Sequence, residues 1–324
     1  MARTLRRPEE LIAAGLAEPA ALPALRQVAE RYAIALTPTV RARITAPDDP
    51  VARQYLPDPA ELLTLPHERE DPTADRAFSP IKGVVHRYPD RALLLPLLAC
   101  PVYCRFCFRR ERVGPGGGLL SEAELAAALD WFAATPAVRE AILTGGDPLM
   151  LSPRRLAQIL DRLEGMAHIA RLRIHSRVPV ADPTRITEPM LAALTRRKPL
   201  YLCVHVNHAQ EFGPEAAAAL AALHRAGVVL LGQSVLLAGV NDSEEALQDL
   251  FEAMLAHRIK PYYLHALDPA PGTARFAVPD RRARALLAGL RGRISGLAWP
   301  TLVREAPGGA GKKPIGPVWE LPSP

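Results

Sequence analysis

Cysteine is scarce in this chain: there are four in 324 residues, and three of them fall within eight positions. A secreted disulfide scaffold would need an even, spread-out set, so that class is excluded and reduced thiols in a cytoplasmic compartment are expected. Long apolar runs are missing too. No stretch reaches the roughly 18 uninterrupted apolar residues of a membrane span. The N-terminal MARTLRRPEE has no apolar segment behind its charges, which predicts a soluble protein with no membrane partner. Aromatic residues amount to only 5%. The basic excess, a formal +6, is arginine scattered through an Ala-, Leu- and Pro-rich background, without the localised stripe of a nucleic-acid footprint. No internal repeat stands out beyond an alternation of strand and helix.

With 49% hydrophobic residues, the chain can build one large α/β domain with extensions. Residues 1–85 read as a helical and irregular extension. EELIAAGLAEPAALPALRQVAERYAIAL carries one or two helices, and the Pro- and Asp-rich stretch after it has many helix stops and little β character. This segment is expected to wrap around a core rather than form one. From about residue 92, ALLLPLL, AILTG, RLRIHSR, LYLCVHVNH, VVLLGQSVLL and KPYYLHAL read as strands separated by helical segments such as SEAELAAALDWFAA. The alternation implies right-handed crossovers and a parallel sheet. Six such strands predict an α/β fold with a partial (β/α)6 barrel over residues 86–290, and residues 291–324 add a C-terminal strand and loop. In such barrels the chemistry lies at the carboxyl ends of the strands.

Cys100, Cys104 and Cys107 follow the first of these strands in CPVYCRFC. Thiolates at this spacing can wrap one soft-metal centre, and three ligands around a four-iron cluster leave one iron open for chemistry. A structural zinc site would close its shell with a fourth ligand, and none is well placed nearby. Buried cysteines acting as small hydrophobes are the other plain reading, but Arg105, Arg109, Arg110 and Arg112 around the triplet do not make a usual core pattern. Cys203, in an apolar alternating run, reads as core. The triplet, with Tyr103 and Phe106, resembles the radical S-adenosylmethionine (SAM) superfamily. That resemblance implies a 4Fe-4S cluster whose open iron is chelated by SAM, the source of a 5′-deoxyadenosyl radical.

The second strand ends in Thr144-Gly145-Gly146-Asp147-Pro148, where successive glycines permit close backbone approach. His175, Ser176, Gln233 and Ser234 occupy equivalent strand ends, as cavity-lining groups or as satisfied core polar residues. Near the C-terminus, EAPGGAGKKPIGP presents Lys312 and Lys313 on a glycine-rich segment. By itself this reads as a phosphate clamp, a flexible tail, or a loop carrying a Schiff-base lysine.

Taken in order, HRYPDRALLL, CPVYCRFCFRR, TGGDPL, RIHSRVPV, GQSVLLAGVND, YYLHALD and PGGAGK resemble the lysine 2,3-aminomutase family from about residue 80 to 316. The resemblance implies a second cofactor, pyridoxal phosphate (PLP), carried as an imine by Lys312, with Lys313 the alternative. Arg87 and Arg91 would hold its phosphate. Phe106, Gly145, Gly146, Asp147 (where the superfamily has Glu), His175, Ser176 and Gln233 would face SAM. Arg109 would pair with the substrate carboxylate, and Asp268 and Glu305 with its ε-ammonium; two acids suit lysine and disfavour glutamate, whereas the plain reading of both is solvated surface charge.

The implied reaction interconverts L-lysine and β-lysine by 1,2-amino migration, fed by an external reductant. Free-lysine members carry a further C-terminal segment that supports a homo-oligomer, and usually Asp where Glu305 stands. Those two features lean towards the branch supplying β-lysine to elongation factor P, and PGGAGK leans towards the free-lysine enzymes. A radical SAM enzyme acting on RNA or another amino acid, and a non-catalytic iron–sulfur electron carrier, are the rival classes. The first lacks an appended RNA-binding module, and the second leaves the paired acids and the lysine loop without a purpose.

Overall fold

The computed structural model describes residues 3–114, 117–306 and 311–316. Among the described residues nine strands form one sheet in chain order: β1 (Val84–Tyr88), β2 (Arg91–Leu97), β3 (Glu140–Gly145), β4 (Arg171–Ser176), β5 (Leu200–His205), β6 (Val229–Val235), β7 (Lys260–His265), β8 (Thr301–Ala306) and β9 (Gly311–Gly316). Strands β2 to β8 run parallel, whereas β1 and β9 pair antiparallel at the two edges. The six strands read from sequence are β2 to β7. β8 adds a seventh parallel strand through Tyr263↔Thr301, Leu264↔Leu302 and His265↔Val303, so the curled partial barrel is wider than six strands.

Side chains alternate across each strand. In β4, Leu172 and Ile174 join the main core while Arg171, Arg173 and His175 face the concave interior. In β5, Leu202 and Val204 join that core while Tyr201 and His205 face inward. The apolar face takes the helices between strands. In the helix Pro153–Glu164, Leu156, Ile159, Leu160 and Leu163 form one buried stripe, each contributing about 1.5–3 kcal/mol by burial. Ser121, Ser152, Thr187 and Ser243 cap four of these helices, each side-chain oxygen accepting the amide three residues on.

The proline-rich N-terminal stretch folds into short helices, Pro8–Ala13, Leu22–Arg31, Pro38–Arg41 and Pro50–Tyr55. Three of them begin on proline, whose missing N–H costs nothing at that position. Leu5, Leu11, Ile34, Leu36, Val51 and Tyr55 make a separate small core that takes in Val102 of the cysteine loop. Tyr103 of the same loop packs on Val28 and Tyr32. The extension is therefore seated on the loop that carries the thiols. Among the described residues no helix is long and apolar enough to cross a membrane.

Candidate active site

The concave side of the sheet encloses a cavity of about 780 Å³, and the candidate residues named above, from Arg87 to Lys312, line it, with the exceptions of Ser234 and Lys313. The three cysteines sit just past β2, at the carboxyl end of the first parallel strand. Gly145, at φ +114, and Gly146 bring the end of β3 against that loop: a Cβ would stand 2.6 Å from Leu97 O and 2.2 Å from Ala99 O, respectively. The glycines are thus required by a backbone-to-backbone approach that also places Asp147 N on Ala99 O, at 2.8 Å.

Of the arginines flanking the cysteines, Arg105, Arg109 and Arg110 are buried and Arg112 is half-buried. Arg105 donates to Glu61 of the extension through Nε and Nη2 (2.9 and 2.6 Å) and to Ala33 O through Nη1 (2.7 Å). Arg110 pairs with the same Glu61 and stacks 3.6 Å from the centre of the Tyr32 ring. Arg109 is held by Asp75 at 2.8 Å. Burial pushes all three thiols up, Cys107 to about 11; nearby Asp147 and then the other two thiols add to the shift at Cys100, and Cys104 adds to it at Cys107, while Arg177 beside Cys104 and Arg109 beside Cys107 pull down.

Asp147 faces the cavity, but its oxygens are already occupied. They accept from Ser176 Oγ (2.7 Å) and from the amides of Arg177 (2.7 Å), Leu149 (3.1 Å) and Val178 (3.2 Å). Burial pushes this carboxyl up and those four donors pull it down. Asp147 and Ser176 therefore brace the ends of β3 and β4 against each other. Ser234, also singled out above, is fully buried and donates to Val206 O.

At the far edge, β9 pairs with β8 so that Lys312 stands opposite Glu305. Lys312 Nζ lies 3.1 Å from Glu305 Oε2, and Lys313 on the other face is exposed. Gly311, at φ +89, leaves room for the Tyr88 ring, whose hydroxyl accepts the Lys312 amide at 2.7 Å. Arg87 of β1 reaches across to Glu305. These contacts join the two edges of the open sheet and bring Lys312 into the cavity. The rest of the glycine run, residues 307–310, lies outside the described residues. Asp268 faces the cavity with no side-chain hydrogen bond or ion pair among the described residues, and burial, then nearby Glu305, pushes its carboxyl up to about 7.

Sequence reasoning named Arg91 but missed the rest of the cavity floor. Arg91, Glu140 and Arg171 are register partners at the amino ends of β2, β3 and β4. Arg171 and Arg173 share Glu140 at 3.0 and 2.7 Å, which leaves a cationic surplus beside Arg91. Polar residues at every second position of RLRIHS were the available signal, since an interior-facing strand should alternate. His205 and His265 were missed as well. With His175 they face the cavity as neutral imidazoles, held well below the usual histidine range by burial, His265 at about 3. The Nε2 atoms of His175 and His205 are buried without a partner among the described residues, as suits groups that bond a ligand.

The donor set fits a multi-iron cluster better than a single ion. Among the described residues no three His, Cys, Asp or Glu side chains could hold one metal ion, whereas a four-iron cluster takes one thiolate per iron. Thiols raised by burial become thiolates when a metal binds them. The radical SAM superfamily matches residues 94–251. The L-lysine 2,3-aminomutase of Acetoanaerobium sticklandii is 38% identical over 290 residues, 89% of this chain and 70% of that protein. That of Clostridium subterminale is 38% identical over 297 residues, 91% and 71%, and that of Escherichia coli (strain K12) is 41% identical over 275 residues, 83% and 78%. With likeness of this degree over most of the chain, the chain belongs to the L-lysine 2,3-aminomutase family of the radical SAM superfamily.

Proposed function

We infer that this protein interconverts L-lysine and β-lysine with a 4Fe-4S cluster, SAM and PLP. The observation that carries the reading is the meeting, in one cavity, of a three-thiol loop with a lysine set beside two acids. The cluster and SAM, when bound, supply hydrogen abstraction by a carbon radical, and PLP supplies the π-system across which the nitrogen migrates. The chain's own residues bind and orient. Lys312 anchors PLP, and Arg91 with the floor pair Arg171 and Arg173 offers guanidinium groups to its phosphate. Arg87 contributes there less directly, because Glu305 engages it.

Arg109, steadied by Asp75, takes the substrate carboxylate. Asp268 and Glu305 take the ε-ammonium, which replaces Lys312 Nζ as the cation beside Glu305. Gly145, Gly146, Phe106, His175, His205 and Gln233 shape the SAM side, with Asp147 and Ser176 holding the strand ends in place. The enclosing walls exclude water from the reacting carbons. Activation draws one electron from an external low-potential donor in the cytoplasm. Glu305, one carbon longer than the aspartate usual in the free-lysine branch, favours a role supplying β-lysine for elongation factor P.

The test is an anaerobic assay of the reconstituted protein with SAM, PLP, reductant and L-lysine. β-Lysine is followed by mass spectrometry, with elongation factor P and its ligase in a parallel tube. β-Lysine from free lysine supports the reading, and rapid turnover would assign a metabolic role. Weak turnover that still suffices for β-lysylation assigns the translation-factor role. SAM cleavage without β-lysine in either tube sinks the lysine reading.

A further inference from the structure

Arg177 follows β4 and has no role in the cofactor and substrate contacts above, yet it is one of the most tightly held side chains in the molecule. Its side chain is 5% exposed. Nη1 donates to Cys104 Sγ at 3.2 Å, and Nη2 donates to Gln54 Oε1 at 2.5 Å and to Glu211 Oε2 at 2.6 Å. Tyr55 and Phe106 lie against the guanidinium, 4.9 and 5.4 Å from their ring centres. Its backbone amide is fixed on Asp147 at 2.7 Å.

The anchors are themselves held. Glu211 accepts the amides of Asn207 (2.8 Å) and His208 (3.0 Å), the Gln54 amide group (3.2 Å) and the Tyr55 hydroxyl (3.3 Å). Gln54 Oε1 also accepts from Asn207 Nδ2 at 3.0 Å. Four separate segments therefore fix one cation beside one cysteine sulfur, and two of its holders, Gln54 and Tyr55, lie outside the superfamily match at 94–251.

A buried ion pair alone would need only Arg177 and Glu211. The arrangement does more: the carboxylate is at Nη2, on the branch of the fork away from the sulfur, and Nη1 is left to the thiol. A cationic donor on a cluster thiolate stabilises the extra negative charge of the reduced cluster, and hydrogen bonds to the sulfurs and net charge are among the factors that set cluster potentials. We propose that Arg177 is a positioning residue for reduction of the cluster, holding an N–H on the Cys104 sulfur so that the cluster accepts an electron at a less negative potential. The proposal rests on the cluster reading of the three cysteines. One electron passes from a low-potential one-electron donor to the oxidised cluster, no bond to Arg177 breaks, and the guanidinium keeps its proton throughout.

The test uses full-length protein reconstituted anaerobically, with iron content matched between variants. Dithionite titration through redox mediators is followed by the electron paramagnetic resonance of the reduced cluster. Arg177→Met should lower the reduced-to-oxidised ratio at a fixed potential by about tenfold, which for one electron is 59 mV; Arg177→Lys should recover part of the loss. A midpoint unchanged in Arg177→Met at full iron content overturns the proposal. Should that variant fail to fold or to take up iron, wild-type protein labelled with 15N-guanidinium arginine decides: a 15N coupling to the reduced cluster supports the bond, and its absence overturns it. Wild-type protein that assembles no four-iron cluster would instead overturn the reading beneath the proposal.

Discussion

The two ends of the cavity treat charge in opposite ways. At the thiol end the buried charges are paired within the protein. Glu61 serves Arg105 and Arg110, Glu211 serves Arg177, Asp75 serves Arg109, and Asp147 takes one hydroxyl and three amides. At the lysine end Asp268 has no such partner, and Glu305 is shared between Arg87 and Lys312. The first end is preorganised for cofactors whose geometry must not drift. The second leaves the Asp268 carboxyl buried without a direct partner, at a cost that a cation placed beside it would relieve.

The largest effect should come from breaking the satisfied end. Glu61→Ala leaves two fully buried guanidinium groups without their carboxylate, and removing one partner of a buried pair costs about 3–5 kcal/mol. Anaerobic urea unfolding of the apoprotein measures it; a loss under about 1 kcal/mol would mean the thiol end is not tied down as described.

Asp268→Asn should do the reverse, costing about 2 kcal/mol of lysine affinity, roughly 30-fold, with no loss of folding stability. Its carboxyl is raised in the folded state, from 3.8 to about 7. The wild-type contribution is therefore fully present below about pH 4 and is lost as pH rises through 7. The variant lacks that penalty and should gain on wild type across the same window. Lysine affinity unchanged by calorimetry would remove Asp268 from the substrate site.

The same titration predicts that wild-type lysine affinity falls as pH drops below about 7, by up to about tenfold per unit, because the ammonium needs an ionised partner. Proton release on binding, read from calorimetry in buffers of different ionisation enthalpy, should accompany it. Asp268→Asn should flatten both, and an unaltered pH limb in that variant would assign the titration elsewhere.

The smallest effect on folding is expected at Lys312, whose bridge to Glu305 is partly exposed. Lys312→Ala should change stability by less than about 1 kcal/mol. It should keep the iron–sulfur absorbance and lose that of the PLP–lysine imine, and a retained imine band would reassign the anchor to Lys313.

Much of this was legible along the chain. The strands β2 to β7, the capped helices and the cysteine spacing are local patterns with periods of two or 3.6 residues, or fixed short offsets. The extension was less legible, because its short helices rely on proline starts and on packing against the thiol loop. Arg91 was read from the sequence, but the rest of the cationic floor was missed because Arg91, Glu140 and the Arg171–Arg173 pair are far apart in sequence and meet only through strand register.

The sequence by itself determined the chemistry available: three thiols on one loop, a Gly-Gly turn after the next strand, and a lysine seven residues beyond an acid. Those features are short-range and survive without a fold. Only the tertiary structure decided which charges are spent and which are open. Arg105 and Arg110 became anchors because Glu61 is folded beneath them. Arg177 reached a cysteine sulfur because the extension and the loop after β5 grip it from both sides. Lys312 turned into the cavity, and Lys313 out of it, because antiparallel pairing with β8 sets the alternation of β9. Pairing of buried charge depends on partners brought from distant parts of the chain, and burial makes the difference between paired and unpaired groups large.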